Sequence, residues 1–434
     1  MYTVVGMVVA VGRGTRYALA AALLALLTAL SPVLAAPPTA GGLATPTGIP
    51  LPPPPAAPIA PTLSKASTAP NAPTASTAPA LPQATASSTI PVGSLPWPVH
   101  GPFAIGAHFH DFQNYSGVPY FHGGTDVRTQ AGSVVYTPVA GRVTVSKYRI
   151  DAARVPLHFQ YQRWPFADRA DTDARYVEAA VTDDQGRTWM FRHLDGKSIP
   201  SDLLRRSRAG EPIPAGEPLG TIVAWHQPVL PETATYHHLH LEVLASDGTY
   251  LNPARLMAPL PDTDPPVIHG IWFVRNEEET TFPATDGRPR VSGDVDVVAA
   301  ITDRMPNSRY ILSPYLVRTR LMALSGSDAR EILPWTEVVR FDRLPVTGDR
   351  TQLATVVYKE RLRIDGKPLL SNGEMGPRFF LLTLTNGDRR AGYAARRSLP
   401  TRSLRDGIYR FDLEAADLAG NVASASQEFE VRNR

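Results

Sequence analysis

Between residues 132 and 243, hydrophobic and polar residues alternate over short stretches, which is the period of a half-buried β-strand. The alternation predicts strands at 176–181 and 188–193, joined by a turn at 183–186 that holds two aspartates and a glycine. Two more short strands are predicted at 132–138 and 141–145, on either side of a tight turn. This part of the chain is therefore expected to be a β-domain.

Beyond residue 261 the same alternation recurs in about eight short stretches separated by turn residues. The stretches are 267–274, 295–301, 316–324, 336–341, 353–364, 379–384, 408–415 and 428–431. In one of them, Tyr409, Phe411 and Leu413 share the face expected to enter a core. The segment 406–409 also resembles the tyrosine corner of immunoglobulin-like domains. We therefore predict an all-β chain whose residues 261–434 form an immunoglobulin-like β-sandwich.

Residues 1–35 have the pattern of a secretory signal peptide. Arg13 and Arg16 precede an uncharged apolar run at 17–30, and the small residues Val33 and Ala35 follow it. The run is short of the ~20 residues that a membrane-spanning helix needs, although an uncleaved anchor is the alternative. The leader predicts a protein that is secreted, periplasmic or associated with the cell wall.

Residues 36–95 form a segment rich in Pro, Ala, Ser and Thr. Fifteen of these sixty residues are proline, and Lys65 is the one charged residue. The segment contains almost nothing to bury, so it cannot offset the entropy lost on ordering. We predict a disordered, extended linker.

Composition narrows the possible chemistry. The 434 residues, 43% of them hydrophobic, suffice for two to three folded domains. The absence of cysteine excludes disulfide scaffolds, thiol nucleophiles, thiolate zinc sites and iron–sulfur clusters. The formal net charge of +3 includes two arginines of the leader, so it does not indicate nucleic-acid binding.

Histidines are concentrated in the first predicted domain, where ten of the eleven lie between positions 100 and 240. A strand at 238–243 would place His238, His240 and Glu242 on one face, with Leu239, Leu241 and Val243 in the core. His122 and Asp126 flank a glycine turn that can bring the two side chains together, and His193 lies at a strand end. Nitrogen and oxygen ligands without sulfur are the set expected of catalytic zinc with an open position.

Five ordered segments resemble the lysostaphin/LytM-type zinc endopeptidases, which cut peptidoglycan peptides. The segments are 122–126 (His-Gly-Gly-Thr-Asp), 193–194 (His-Leu), the glycine-punctuated 210–220, 238–242 (His-Leu-His-Leu-Glu) and 252–253 (Asn-Pro). The resemblance covers roughly residues 100–258. It implies an antiparallel LytM-type fold, also called the duplicated hybrid motif, for the domain at 96–260.

Carried to these positions, the resemblance implies one Zn²⁺ held by His122, Asp126 and His240. It also implies a catalytic pair, His193 and His238, that acts on peptidoglycan stem or cross-link peptides. We favour His238 as the base and His193 as the oxyanion donor, an order that the sequence leaves open. The alternatives are a non-catalytic peptidoglycan-binding or amidase-activating protein of the same fold, and an adhesion module with a vestigial zinc domain.

Several neighbouring residues keep two interpretations. His108 and His110, followed by Asp111, form a second histidine pair that we interpret as substrate contact or surface, with metal binding as the alternative. Glu242 is either an orienting partner of a metal ligand or a solvated strand charge. An aromatic insertion at 151–173 is either a lid over the groove or a local satellite core. The segment 225–236 departs from the family pattern, which leaves the preferred cross-link open.

Overall fold

A computed structural model describes residues 93–114, 119–151, 158–163, 177–224, 236–306, 308–344, 350–371, 379–387 and 395–433. The predicted signal peptide at 1–35 and nearly all of the predicted linker at 36–95 lie outside these ranges. The described residues belong to one compact unit built mainly of antiparallel β-strands, which confirms the all-β prediction. None of the helices in the described ranges combines the length and the apolar character that crossing a lipid bilayer requires.

The first half of this unit carries thirteen strands, one α-helix and one short 3-10 helix, Pro253–Arg255, in the described ranges. They are β1 (Ala104–Ala107), β2 (Phe112–Gln113), β3 (Tyr120–Phe121), β4 (Thr125–Arg128), β5 (Val134–Tyr136), β6 (Gly141–Asp151), β7 (His158–Arg163), β8 (Val177–Thr182), β9 (Thr188–Leu194), α1 (Ser201–Ala209), β10 (Pro212–Ile213), β11 (Pro218–Thr221), β12 (His238–Leu244) and β13 (Tyr250–Leu251). The main sheet has the order β1-β4-β12-β9-β8-β6-β10, and all of these neighbours are antiparallel. Strand β12 thus lies between β4 and β9.

Hydrophobic and polar residues alternate along strand β12, and the hydrophobic ones face the core as predicted. Leu239, Leu241 and Val243 are fully buried in a hydrophobic cluster with residues of β4, β6, β8 and β9. The intervening polar residues therefore lie on the opposite face of the sheet. The predicted hairpin at 176–193 is confirmed as β8 and β9, and Asp183 closes its turn by accepting hydrogen bonds from the backbone N–H groups of Gln185 and Arg187.

Residues 132–145 contain two strands, as predicted, but the strands are not partners across the turn. Strand β5 pairs with β11, whereas β6 pairs with β8, β7 and β10. Alternation indicates that a strand exists but does not specify which strand lies beside it. The predicted insertion at 151–173 begins in the β6–β7 pair, and the environment of its aromatic side chains lies outside the described residues.

The second half carries the remaining strands, a second α-helix and, within the described residues, a short 3-10 helix at Thr401–Ser403. They are β14 (Val267–Arg275), β15 (Ala284–Thr285), β16 (Arg288–Val291), β17 (Asp294–Thr302), β18 (Leu316–Ser325), β19 (Asp328–Arg340), β20 (Arg343–Leu344), α2 (Arg350–Val357), β21 (Arg361–Ile364), β22 (Lys367–Leu370), β23 (Phe380–Thr383), β24 (Leu399–Pro400), β25 (Gly407–Ala416) and β26 (Val422–Val431). One sheet has the order β14-β17-β23 with β24 beside β17, and a second has the order β15-β16-β26-β25-β18-β19. Buried residues of both sheets, among them Phe273, Phe411 and Phe429, form one hydrophobic cluster.

The predicted strand at 353–364 is wrong in its first half. Residues 350–357 form helix α2, and only Arg361–Ile364 are a strand. Ala354 and Val357, three positions apart, are both buried in the core, which is the spacing of neighbours on one helical face. A short apolar stretch fits either period, and packing of this face decided for the helix. The other seven predicted stretches contain strands at or near the expected positions.

The two halves of the chain, before and after residue 260, are joined by strand pairing and by a common hydrophobic cluster. Strand β13 pairs with β20, and Phe109, Phe112 and Phe121 of the first half are buried in the hydrophobic cluster of the second half. The cluster thus extends across the predicted boundary at 260/261. The division into domains at 96–260 and 261–434 stays a prediction.

Candidate metal centre

His122, Asp126 and His240 converge on one point beside the central strands. His122 lies in the turn before β4, Asp126 lies on β4, and His240 is its direct partner in the register of β12. His122 Nε2 is 3.0 Å from Asp126 Oδ1 and 3.0 Å from His240 Nδ1. His240 Nδ1 is 2.9 Å from the same Asp126 oxygen. The three atoms therefore form a nearly equilateral triangle, from residues up to 118 positions apart in the chain.

The hydrogen bonds on the far side of each imidazole fix which nitrogen carries the proton. His122 Nδ1 donates to the carbonyl oxygen of His108 at 2.7 Å, which leaves Nε2 with a lone pair when the ring is neutral. His240 Nε2 donates to the carboxylate of Glu242 at 3.0 Å, which leaves Nδ1 with a lone pair. Together with the Asp126 oxygen, three lone pairs face one another. Only a cation or a proton between them relieves this repulsion.

The pKa values of His122 and Asp126 also indicate that positive charge is favoured between these residues. Burial opposes the charged form of His122, but the adjacent Asp126 carboxylate outweighs burial and raises the pKa of His122 to about 9. Burial likewise opposes ionisation of Asp126, yet the surrounding histidines, His238 first among them, hold its pKa well below the usual range. A divalent cation held by these residues would supply the positive charge that the cluster otherwise draws from a proton.

The donor set fits zinc. Two imidazole nitrogens and one carboxylate oxygen, without sulfur, are the ligands of open catalytic zinc sites. With bonds of about 2.0–2.1 Å, tetrahedral ligands lie about 3.3 Å apart, close to the observed separations. Within the described ranges His122, Asp126 and His240 form one of two groups able to hold a metal ion.

Gly124 allows the close approach of β4 to β12 that brings these ligands together. A Cβ at this position would lie 2.3 Å from the carbonyl oxygen of Leu241, the residue after His240. Real Cβ atoms do not approach backbone so closely, and therefore the residue between the His122 turn and β4 has to be glycine.

His193 enters the site from a β-bulge. In the ladder of β8 and β9, Val177 pairs with Leu194 and Glu178 pairs with Arg192, so His193 is the extra residue. Its φ of 67° lies in the left-handed region, which few residues other than glycine adopt. The bulge places the His193 ring 4.6 Å from that of His238, centre to centre, and 5.9 Å from that of His240. Backbone strain at such a position is characteristic of functional sites.

Two substitutions of His193 distinguish the role of its imidazole from the effect of its backbone conformation. If His193 is the oxyanion donor that the resemblance implies, His193→Gly and His193→Ala should both lower kcat by roughly 10²–10³-fold. The glycine variant should unfold with a free energy about 1 kcal/mol higher than that of the alanine variant, because glycine tolerates positive φ. Denaturant unfolding of the two variants measures this difference. A more stable alanine variant, the usual order in a strand, would contradict the bulge geometry.

His238 lies next to the triangle without belonging to it. Its Nδ1 donates to the carbonyl oxygen of Tyr236 at 2.7 Å, so Nε2 keeps its lone pair, 3.6 Å from Asp126 Oδ1. Burial lowers the pKa of His238 to about 4, which Asp126 opposes only in part. The ring is therefore neutral near pH 7 and can accept a proton at Nε2.

Glu242 is buried, with 2% of its surface exposed, so the alternative of a solvated strand charge is wrong. Besides His240, its Oε1 accepts from Arg192 Nη1 at 2.9 Å, and Arg192 Nε donates to Glu178 at 2.8 Å. This arrangement fixes the orientation and tautomer of the His240 ring through a buried carboxylate.

The variant Glu242→Gln tests that orienting contact. We expect it to weaken zinc affinity by roughly 10–100-fold, because a neutral amide polarises the His240 ring less than a carboxylate does. Glu178→Gln is the matched control, since Glu178 is also buried beside Arg192 but is not hydrogen-bonded to His240. Competition with a zinc chelator measures both affinities. Equal loss in the two variants would assign the effect to Arg192 instead.

Tyr236 belongs to the site, although the sequence pattern did not single it out. Its hydroxyl donates to Asp126 Oδ2 at 3.0 Å, and its ring lies 4.6 Å from that of His238. The guanidinium of Arg128 lies 4.0 Å above the Tyr236 ring. A tyrosine two residues before the first histidine of strand β12 was the available signal.

The second histidine pair lies in the interior of the protein. His108 and His110 are 9% and 1% exposed, so the prediction of a surface position is wrong. The ring of His110 stacks at 3.6 Å on Phe341, which belongs to the second half of the chain. Asp111 accepts from the Ser313 hydroxyl at 2.7 Å. The segment from His108 to Asp111 thus contacts both halves of the chain. Phe109, between the two histidines, is fully buried in the hydrophobic cluster of the second half.

No protein-family model matches the chain, and no curated protein matches it at a significant level.

Proposed function

We propose that the protein is a secreted zinc metalloendopeptidase that hydrolyses peptide bonds in peptidoglycan stem or cross-link peptides. The proposal includes a LytM-type fold for residues 96–260 and an immunoglobulin-like fold for residues 261–434. It rests on one observation above all, the triangle of lone pairs formed by His122, Asp126 and His240. Two further buried histidines, His193 and His238, stand beside that triangle.

The chemistry follows from the proton positions of the residues. When bound, Zn²⁺ lowers the pKa of a coordinated water and polarises a carbonyl group. His238 is neutral and presents Nε2, so it can accept the proton of the attacking water and return it to the leaving amine. His193, whose ring lies 4.6 Å from that of His238, can donate to the oxygen that becomes negative. Tyr236 and Glu242 hold Asp126 and His240 in place.

The substrate class rests on the sequence. Five ordered segments between 122 and 253 resemble the peptidoglycan endopeptidases, and the predicted leader would deliver the protein to the compartment that contains the cell wall. For the C-terminal part, the Tyr409 hydroxyl donates to the carbonyl oxygen of Arg405 at 2.9 Å. This hydrogen bond and the core shared by two sheets support an immunoglobulin-like sandwich.

Digestion of purified peptidoglycan tests the proposal. We expect zinc-loaded protein, at one zinc per chain, to release cross-linked peptides cut at a peptide bond, with new free amino groups detected by mass spectrometry. The same protein stripped with a chelator should release none until zinc is returned. Binding to peptidoglycan without cleavage, together with stimulation of a separate amidase, would support the non-catalytic alternative and reject the enzyme.

A further inference from the structure

A second group of carboxylates lies at the junction of the two halves and shares no residue with the histidine site. Asp262 belongs to the connecting segment after residue 260, Asp303 follows strand β17, and Asp417 follows strand β25. One oxygen of each carboxylate lies within 4.8 Å of the other two. Three chain segments far apart in sequence thus bring three carboxyl groups together.

Asp303 is the member of this group whose surroundings point to a bound ion. Its side chain is 3% exposed, and its Oδ1 is buried without a hydrogen-bond donor among the described residues. None of the three carboxylates forms an ion pair with a described lysine or arginine. A buried carboxylate oxygen with neither donor nor counter-charge carries a large desolvation penalty.

The other two carboxylates are held in place by their own surroundings. Asp417 Oδ1 accepts from the backbone N–H groups of Gly420 and Asn421, at 2.7 and 2.9 Å. The Asn421 side chain donates to the carbonyl oxygen of Asp262 at 3.2 Å and so fastens the connecting segment over this turn. Asp262 Oδ1 in turn accepts from the backbone N–H of Asp264 at 3.1 Å, so both carboxylates are preorganised. Asp262 and Asp303 also line a cleft through which an ion can enter.

Charge repulsion in the cluster has to be relieved. Burial, followed by repulsion from Asp417, raises the pKa of Asp303 to about 8. Either a proton on Asp303 or a cation among the three carboxylates offsets this repulsion. The cation alone supplies a partner to all three groups at once.

We propose that Asp262, Asp303 and Asp417 bind one Ca²⁺ that fastens the connecting segment to the ends of strands β17 and β25. Hard carboxylate oxygens without nitrogen or sulfur select Ca²⁺ or Mg²⁺ over zinc. An irregular set of ligands from three separate segments suits the flexible coordination of Ca²⁺ better than the near-ideal octahedron of Mg²⁺. The site is independent of the proposed peptidase activity.

Thermal unfolding and calcium titration of the full chain test the site, both in a His240→Ala background so that binding at the histidine site is not counted. We expect a single Ca²⁺ per chain by calorimetry. Calcium at about tenfold above its Kd should raise the unfolding temperature by about 2 °C. Mg²⁺ at the same concentration should raise it less.

Two variants make the test specific. Asp303→Asn should abolish calcium uptake and the calcium-dependent rise, yet be at least as stable as its parent in calcium-free buffer, because it removes the repulsion. Asp264→Asn, in the same segment but outside the group, should keep the full calcium response. No calcium uptake by the parent, or an equal rise in parent and Asp303→Asn, would overturn the proposal and leave a protonated Asp303 in its place.

Discussion

The variant His240→Ala is expected to lose zinc and peptide-bond cleavage together. In the wild-type protein, His240 Nδ1 is one corner of the triangle, 3.0 Å from His122 Nε2 and 2.9 Å from Asp126 Oδ1. With one of three protein ligands removed, we expect zinc affinity to fall by on the order of 10³-fold. Cleavage should fall at least as far, because water in this site is not activated without the metal. Zinc content by atomic emission and peptide release measure the two losses.

His237→Ala is the matched control, since it removes an imidazole from the adjacent position just before strand β12 begins. His237 lies outside the group of three ligands. We expect this variant to retain zinc and at least half of the activity. If His240→Ala kept its zinc, or if both variants lost it equally, the assignment of His240 as a ligand would be wrong.

The second large effect is expected from His238→Ala, which should separate catalysis from metal binding. His238 Nε2 lies 3.6 Å from Asp126 Oδ1, and its Nδ1 proton is directed to the carbonyl oxygen of Tyr236. Loss of a general base lowers kcat by roughly 10²–10⁴-fold. Zinc affinity should change by less than about tenfold, because the three ligands and their orienting partners remain.

Steady-state kinetics and zinc content of the same preparation measure both quantities. KM should stay close to the wild-type value, since His238 acts on the attacking water and not on the bound peptide. Loss of zinc comparable to that of His240→Ala would make His238 a ligand. An unchanged kcat would transfer the role of base to His193.

The sequence predicted the elements of the site better than its finer arrangement. Alternation along 238–243 indicated which side chains share a face, because the period of two in a strand is fixed by the backbone. The buried Leu239 and Leu241 confirm that prediction. The glycine turn before Asp126 indicated that His122 and Asp126 could meet, and they lie 3.0 Å apart. The assignment of these residues to a zinc peptidase stays a proposal.

Other features depend on contacts between segments that no local pattern records. The position of His193 in a bulge depends on how β9 pairs with β8, and the burial of His110 depends on Phe341, more than 200 residues later. Residues 350–357 form helix α2 where the sequence predicted a strand, because one face of the helix packs in the core. The group of Asp262, Asp303 and Asp417 likewise forms only when three distant segments of the chain meet.

A crystal of the protein grown with zinc, measured on both sides of the zinc absorption edge, tests whether His122, Asp126 and His240 bind the metal. We expect one strong anomalous peak, bonded to His122 Nε2, Asp126 Oδ1 and His240 Nδ1, with His193 and His238 nearby but not bonded. A peak bonded to other residues, or none from protein saturated with zinc, would contradict it.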